Sequence, residues 1–325
     1  MRAIIVTEPG GPDQLRWQEV AAPILGPGEV LIDIAATAVN RADILQRQGN
    51  YAPPPGASQI LGLECSGVIS ALGPGVTTVK VGQEVTALLA GGGYAEQVAA
   101  PVGQLMSVPT GLTLTAAASL PEVACTVWSN IVMTAHLAEG EWLLIHGGGS
   151  GIGTMAIQVA RALGARVAVT AGSAAKLKVC EQLGAEVLIN YQEHDFVAVM
   201  TDVTGGRGAD VILDNMGASY LERNVLALAR NGRLAIIGMQ GGVKAELNIN
   251  TLLRKNAALH AASLRGRPES EKAEICQQVE RNIWPWVHAG IVNPAIGATM
   301  ALQDAAAAHQ LLESGAVTGK IVLTA

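Results

Sequence analysis

Trp142-Leu143-Leu144-Ile145-His146-Gly147-Gly148-Gly149-Ser150-Gly151-Ile152-Gly153 is the stretch whose reading decides the fold. The apolar run reads as a buried strand, the glycines as a tight turn, and Gly151–Leu163 as an apolar-periodic helix. Such a unit presents backbone N–H groups at a helix N-terminus, where the helix dipole favours a phosphate. The glycines depart from strict GxGxxG, and a tight turn alone accounts for them equally well. Their setting points to a dinucleotide: a strand precedes, a helix follows, and the βαβ unit has the right length.

Downstream, strand and helix alternate through Arg166–Thr170, Ala174–Leu183, Val187–Asn190, Asp195–Thr204, Asp210–Asp214, Tyr220–Leu228 and Arg233–Ile237. Repeated βα units predict a doubly wound parallel sheet. Upstream lies a helical stretch, Ala116–Ala138, with a proline at 121. Before it, short strand candidates (Ile4–Thr7, Glu29–Ala35, Gly67–Leu72, Glu84–Leu88) are separated by Gly/Pro turns, as in a small β-barrel. The tail breaks the alternation with helix Glu269–His288, an extended stretch, helix Gln303–Ser314 and strand Lys320–Thr324. The expectation is an α/β protein. Residues 1–120 and 262–325 form a discontinuous substrate domain, and 121–261 form the dinucleotide domain.

Composition agrees with two cores: of 325 residues, half are apolar and only 15% charged. The net charge of −6 and scattered basic residues argue against nucleic acid as a partner. No apolar run approaches the ~18 residues of a membrane span, and Met1–Pro9 reads as strand and turn rather than a signal peptide. Cys65, Cys125, Cys180 and Cys276 stand singly. They read as small buried hydrophobes of a disulfide-free cytoplasmic protein, without the clustered spacing of a structural zinc site.

The choice of dinucleotide turns on the second strand. An NAD site places Asp or Glu at its end, roughly 20 residues beyond the turn, to hold the ribose 2′-OH. Here the strand ends Val169-Thr170-Ala171-Gly172-Ser173-Ala174-Ala175-Lys176, with no acid. Gly172 leaves space, Ser173 can donate and Lys176 is cationic, so a 2′-phosphate fits and NADPH is the predicted cofactor. Tyr191, closing the third strand, is within reach of the same adenosine end. The plainer alternatives are a solvated first-turn lysine and an ordinary strand-end aromatic. The turn residues Gly148, Ser150, Gly151, Ile152 and Gly153 are the predicted pyrophosphate contacts. Asn215, Gly238 and Met239 follow the fourth and fifth strands and line the ligand crevice by their place in the fold. His146, beside the phosphate turn, reads as structural.

The segments Val39-Asn40-Arg41-Ala42-Asp43, Gln46-Arg47-Gln48-Gly49, Tyr51-Ala52-Pro53-Pro54-Pro55-Gly56 and Leu61-Gly62-Leu63-Glu64 resemble the quinone oxidoreductase branch of the medium-chain dehydrogenase/reductase superfamily. So do Ala171-Gly172-Ser173, Leu183-Gly184-Ala185, Ile189-Asn190-Tyr191 and Gly319-Lys320-Ile321-Val322-Leu323. The likeness covers essentially the whole chain. It is nearer the tumour-suppressor-inducible members than zeta-crystallin. It implies a GroES-like catalytic domain built from both chain ends, a central Rossmann domain, NADPH, a homodimer, and a quinone or an activated enone as acceptor.

Zinc-dependent relatives carry a Cys and a His where this chain has Asn40 and Leu63. They also have a cysteine lobe that is missing here. Glu64 and Glu122 remain, too few donors for a catalytic metal. The resemblance places Asn40, Asp43, Tyr51 and Thr126 near nicotinamide and acceptor. By their place in the fold, Ser263, Leu264 and Arg265, at the return to the first domain, are expected to touch the nicotinamide end, and Lys320 to reach the cofactor phosphates. Each has a plainer alternative. Asn40 and Asp43 can cap a turn and a helix, Thr126 can be a buried hydroxyl, Glu64 can be salt-bridged, and Lys320 can neutralise the surface. A non-catalytic NADPH-binding protein is the alternative from another class.

Overall fold

A computed structural model describing residues 1–325 resolves the alternation into three stretches. The first contains β1 (Arg2–Val6), β2 (Leu15–Glu19), β3 (Glu29–Ala38), α1 (Arg41–Arg47), β4 (Glu64–Leu72), β5 (Glu84–Leu88), β6 (Gln97–Pro101), β7 (Leu105–Ser107), α2 (Leu114–Ala117) and α3 (Pro121–Val127). The second contains β8 (Trp142–His146), α4 (Gly151–Ala162), β9 (Arg166–Ala171), α5 (Ala174–Leu183), β10 (Val187–Asn190), α6 (Phe196–Val203), β11 (Ala209–Asp214), α7 (Leu221–Ala227), β12 (Leu228–Ile236), α8 (Ile249–Lys255) and β13 (Ala258–Ala261). The third contains α9 (Glu269–Asn282), α10 (Trp284–His288), β14 (Ile296–Ala301), α11 (Ala305–Glu313) and β15 (Lys320–Thr324). No helix is long and apolar enough to cross a membrane.

These elements form two units. Met1–Cys125, Leu264–Gly290 and Pro294–Ala325 make one; Thr126–Ser263 and Ile291–Asn293 make the other. The division thus falls inside α3, between Cys125 and Thr126, rather than after residue 120. Residues 291–293 join the second unit, where the Gln158 amide donates to the Asn293 carbonyl (3.0 Å) and accepts from its N–H (2.8 Å).

In the second unit the sheet order is β10-β9-β8-β11-β12-β13, every pair parallel. Renumbered within the unit this is 3-2-1-4-5-6, the Rossmann order, with its switch point between β8 and β11. Parallel strands covered on both faces need continuous apolar sequence, and Trp142–His146 and Ala209–Asp214 are buried throughout. Phe196, the only phenylalanine, anchors one side of the core. It stacks on Tyr220 at 5.3 Å and meets His146 edge-on at 4.7 Å.

The first unit pairs as β14-β15-β3-β4-β5-β7, with β6 on β3 and a separate β1–β2 ribbon. This GroES-like sheet has ends at β14 and β7, so its hydrogen bonds do not close a barrel. The chain's last strand, β15, lies between β14 and β3. The discontinuous domain therefore needs both chain ends.

Two long helices expected from the sequence are broken. The stretch 116–138 becomes α2, then α3 with Pro121 first, then a π-helical turn at Trp128–Thr134. Pro121 has no N–H to continue α2 and is pre-shaped for a helix start. The stretch 269–288 breaks at Ile283, with Pro285 in the first turn of α10. Replacing Phe196 by Ala should cost the Rossmann unit about 3–5 kcal/mol, measured as a lowered urea midpoint for the transition reported by that unit.

Candidate cofactor and acceptor sites

Ser150 caps α4: its hydroxyl accepts from Gly153 N–H (3.0 Å) and donates to the Gly147 carbonyl (2.7 Å). Thr154 N–H is already bonded to Ser150 O. Of the four N–H groups a helix start leaves open, Gly151 and Ile152 keep theirs for an anion. The glycines are demanded by space. A Cβ on Gly148 would lie 2.7 Å from Val169 Cβ, and one on Gly153 would lie 2.6 Å from Gly148 Cα. Gly147 has φ +74°, a left-handed conformation that favours glycine.

His146 fixes the turn from below. It is buried, with Nδ1 3.1 Å from Thr170 Oγ1 and Nε2 2.7 Å from Asn224 Oδ1. An amide oxygen only accepts, so Nε2 carries the proton and Nδ1 receives the Thr170 hydroxyl. The same Thr170 oxygen accepts from Gly147 N–H at 3.3 Å. Burial pushes the imidazole pKa down to about 4, so it stays neutral.

At the end of β9, a Cβ on Gly172 would come within 2.8 Å of Tyr191 Cζ. Tyr191 thus covers the strand end that lacks an acid. Ser173 caps α5, accepting from Lys176 N–H at 3.4 Å. The Lys176 stem lies over the turn, its Cβ 3.2 Å from where a Gly149 Cβ would sit. Lys176 is half-buried and joins no ion pair. Across the switch point, Asn215 Nδ2 lies 2.8 Å from where a Gly147 Cβ would sit, and a Gly238 Cβ would lie 2.7 Å from Asn215 O. Asn215 Oδ1 is buried without a partner, and Met239 is exposed. Open helix donors, a cradle that any Cβ would fill, an orphan amide oxygen and an unpaired lysine fit a phosphorylated dinucleotide. The remaining predicted contacts are scattered. Ser263 is exposed in this unit, Thr126 is buried here, and Leu264 is buried in the other unit.

The GroES-like unit gathers a buried polar cluster. Lys320 Nζ donates to Glu64 Oε1 (2.7 Å), Asn40 Oδ1 (2.7 Å) and Val39 O (3.2 Å). Asn40 Nδ2 donates to the same Glu64 oxygen (2.9 Å), and Glu122 N–H donates to Glu64 Oε2 (2.9 Å). Asp43 accepts from Asn40 N–H (2.8 Å) and Gly62 N–H (2.9 Å). Tyr51 lies beneath a guanidinium, with Arg265 Cζ 5.3 Å from its ring centroid.

Two expectations change here. Lys320 is neither a surface charge nor free for a phosphate: it is 5% exposed, and its three protons already have acceptors. Asp43 is fully buried with both oxygens on backbone N–H groups, so it caps α1 rather than facing a substrate. Its carboxyl is raised to about 6 by burial. Glu122, read in the sequence only as a spare metal donor, is raised to about 8 by burial and then by the Glu64 charge. No sequence signal marks it, because the shift comes from burial and from the charges of Glu64 and Asp43, with Lys320 opposing them, and none of these is local in sequence.

This combination of units defines a two-domain, nucleotide-dependent dehydrogenase/reductase. Sequence profiles for the alcohol dehydrogenase GroES-like domain and for zinc-binding dehydrogenase match residues 26–110 and 151–280. The chain is 32% identical to the Lama guanicoe quinone oxidoreductase, over 99% of this chain and 97% of that one. It is 31% identical to a 2-haloacrylate reductase from Burkholderia sp., over 99% and 98%. The Escherichia coli quinone oxidoreductase complexed with NADPH superposes with TM-score 0.89 at 27% identity, over the full length of both chains. The chain belongs to the quinone oxidoreductase family of the medium-chain dehydrogenase/reductase superfamily.

The zinc in one profile's description finds no matching donor set. Asn40 and Leu63 supply an amide and an alkyl group, and both Glu64 oxygens are bonded, one of them to an ammonium.

Glu122 makes a pH prediction. Its folded pKa lies above the ordinary 4.5, so between about 4.5 and 8 the folded state holds a proton that the unfolded state has lost. Its contribution is full below the window and declines as pH rises through it. Glu122→Gln should flatten the fall of unfolding free energy between these limits, measured by urea titration at stepped pH.

Proposed function

We propose that this protein is an NADPH-dependent quinone reductase that works without a metal, through the residues now described. The observation that carries the reading is the cluster around Glu64: where a Lewis acid would be held, Lys320 neutralises the carboxylate. An acceptor that takes hydride without metal activation, such as a quinone, suits that site. When bound, NADPH supplies the hydride.

The chain's own groups then bind and orient. Gly148, Ser150, Gly151, Ile152 and Gly153 receive the pyrophosphate, with Gly151 and Ile152 donating N–H groups. Gly172, Ser173, Lys176 and Tyr191 hold the 2′-phosphorylated adenosine end. Asn215, Gly238, Met239 and Ser263 serve the nicotinamide end. Asn40 and Tyr51 contact the acceptor, and Thr126 shapes the nicotinamide end. Glu122 keeps a proton on its carboxyl at neutral pH. Cytoplasmic location belongs to the same reading, with no nucleic-acid partner.

A second acceptor class is favoured by the relative named 2-haloacrylate reductase. An activated C=C bond can take the same hydride, and parallel assays on quinones and enones decide between them. With NADPH and a simple quinone, the pure protein should oxidise the cofactor well above blank. NADH should serve much less well, and equal rates would contradict the 2′-phosphate assignment. Lys176→Ala should raise the NADPH KM about tenfold with kcat nearly unchanged, as loss of uniform charge-assisted binding does.

A homodimer is the assembly we propose. β13 ends its sheet with one edge unpaired, and Val243, Ile249 and Leu253 expose apolar surface in the same unit. Light scattering should give about twice the 33.4 kDa chain mass, and the 33.4 kDa mass at micromolar concentration would refute it.

A further inference from the structure

The GroES-like unit also holds a cavity of about 600 Å³. Pro54, Pro55, Ile60 and Leu89 give it an apolar wall; Arg265 and Lys272 give it a cationic one. Lys272 lies in the first turn of α9 and is 5% exposed. Its ammonium makes no hydrogen bond or ion pair, yet it is not among the polar atoms sealed from solvent. Glu269, one turn earlier, attracts it without bonding to it, and burial disfavours its charge. Arg265 is 4% exposed; its Nε donates to Ala90 O (2.7 Å), while Nη2 is buried without a partner.

Glu269 also lines the wall and joins no ion pair, but two other charged side chains there are engaged. Arg267 pairs with Glu271 at 3.4 Å, and Glu29 accepts from Gly26 N–H at 2.7 Å. Two buried cations therefore meet one cavity with no carboxylate bonded to either. A buried, unpaired charge is costly, and an anion bonded to it removes that cost. The apolar wall asks for more than a bare inorganic ion, and the volume is that of a small-molecule site.

We propose that this cavity binds a small organic carboxylate, its apolar body against the proline-rich wall and its carboxylate on Lys272, with Arg265 behind. The site lies within one unit, and the proposal does not depend on the acceptor being a quinone. The carboxylate is either a reducible acid or a non-reducible effector. An effector would act through Arg265, which also holds Tyr51.

The test titrates benzoate into the full-length protein by calorimetry. Saturable binding is expected, about tenfold weaker in Lys272→Met and nearly retained in Lys272→Arg, and lost progressively with added salt. Quinone turnover without benzoate should be the same in all three proteins, which shows the variants are folded. In parallel, 2-chloroacrylate is offered with NADPH. Its consumption, with a KM raised in Lys272→Met, identifies the carboxylate as substrate; benzoate binding without acrylate turnover identifies an effector. Absence of saturable benzoate binding, or equal affinity in wild type and Lys272→Met, would overturn the proposal.

Discussion

One buried ammonium organises the GroES-like unit. Lys320 opens the chain's last strand, and its three acceptors come from the stretch after β3, the cap of α1 and the start of β4. Removing one member of such a group strands the others without water, a loss of about 3–5 kcal/mol. The attraction is therefore best seen as a constraint on arrangement. β15 must enter between β14 and β3 with Lys320 at its first position, or two charges stay buried and unpaired. This is a physical reason for a domain built from both chain ends. Glu64 extends the constraint, because its second oxygen receives Glu122 N–H at the start of α3.

The Rossmann unit rests on a constraint of another kind, exclusion of volume. Its turn passes so close to β9 and to its own backbone that only hydrogen atoms fit at positions 148 and 153. The polar counterpart is a directional chain: Gly147 N–H to Thr170, Thr170 hydroxyl to His146, His146 to Asn224. Each donor has one acceptor, which requires a neutral histidine in one tautomer, and burial provides that. A histidine beside a phosphate turn invites a catalytic reading. Here all its hydrogen bonds point into the core, and its ring meets the stacked Phe196 and Tyr220 edge-on.

What was legible in the sequence is what local physics determines. Strands Trp142–His146 and Lys320–Thr324 and helix Ala174–Leu183 fall where their apolar pattern and turn residues place them. Strands β6 and β13 carry no such signal: Gln97–Pro101 and Ala258–Ala261 are short and alanine-rich, and only tertiary pairing makes them strands. The helix breaks at Pro121 and Ile283 are hard to place from sequence because helix-compatible residues continue on both sides of each. The turn, the missing acid and Lys176 were legible because their chemistry sits within one βαβ unit. Lys320 and Glu122 were not. Their character comes from neighbours more than fifty residues away in sequence, Glu64 foremost, and no window along the chain contains them together.

The buried cluster also has a charge balance of its own. Asp43, Glu64 and Glu122 face Lys320 and Arg265, and all four of the others bear on Glu122 electrostatically. With every acid ionised the group would carry one excess negative charge in a poorly solvated place. Glu122 relieves it, because a carboxyl raised to about 8 is protonated at neutral pH, leaving two negative and two positive charges. Asp43, raised only to about 6, stays mostly ionised because it accepts two backbone N–H groups. The carboxyl that yields is the one whose side chain has no such donors. Neutrality is thus reached by a proton on Glu122, in a cluster whose two remaining carboxylates are already held, Asp43 by backbone N–H groups and Glu64 by a lysine instead of a metal.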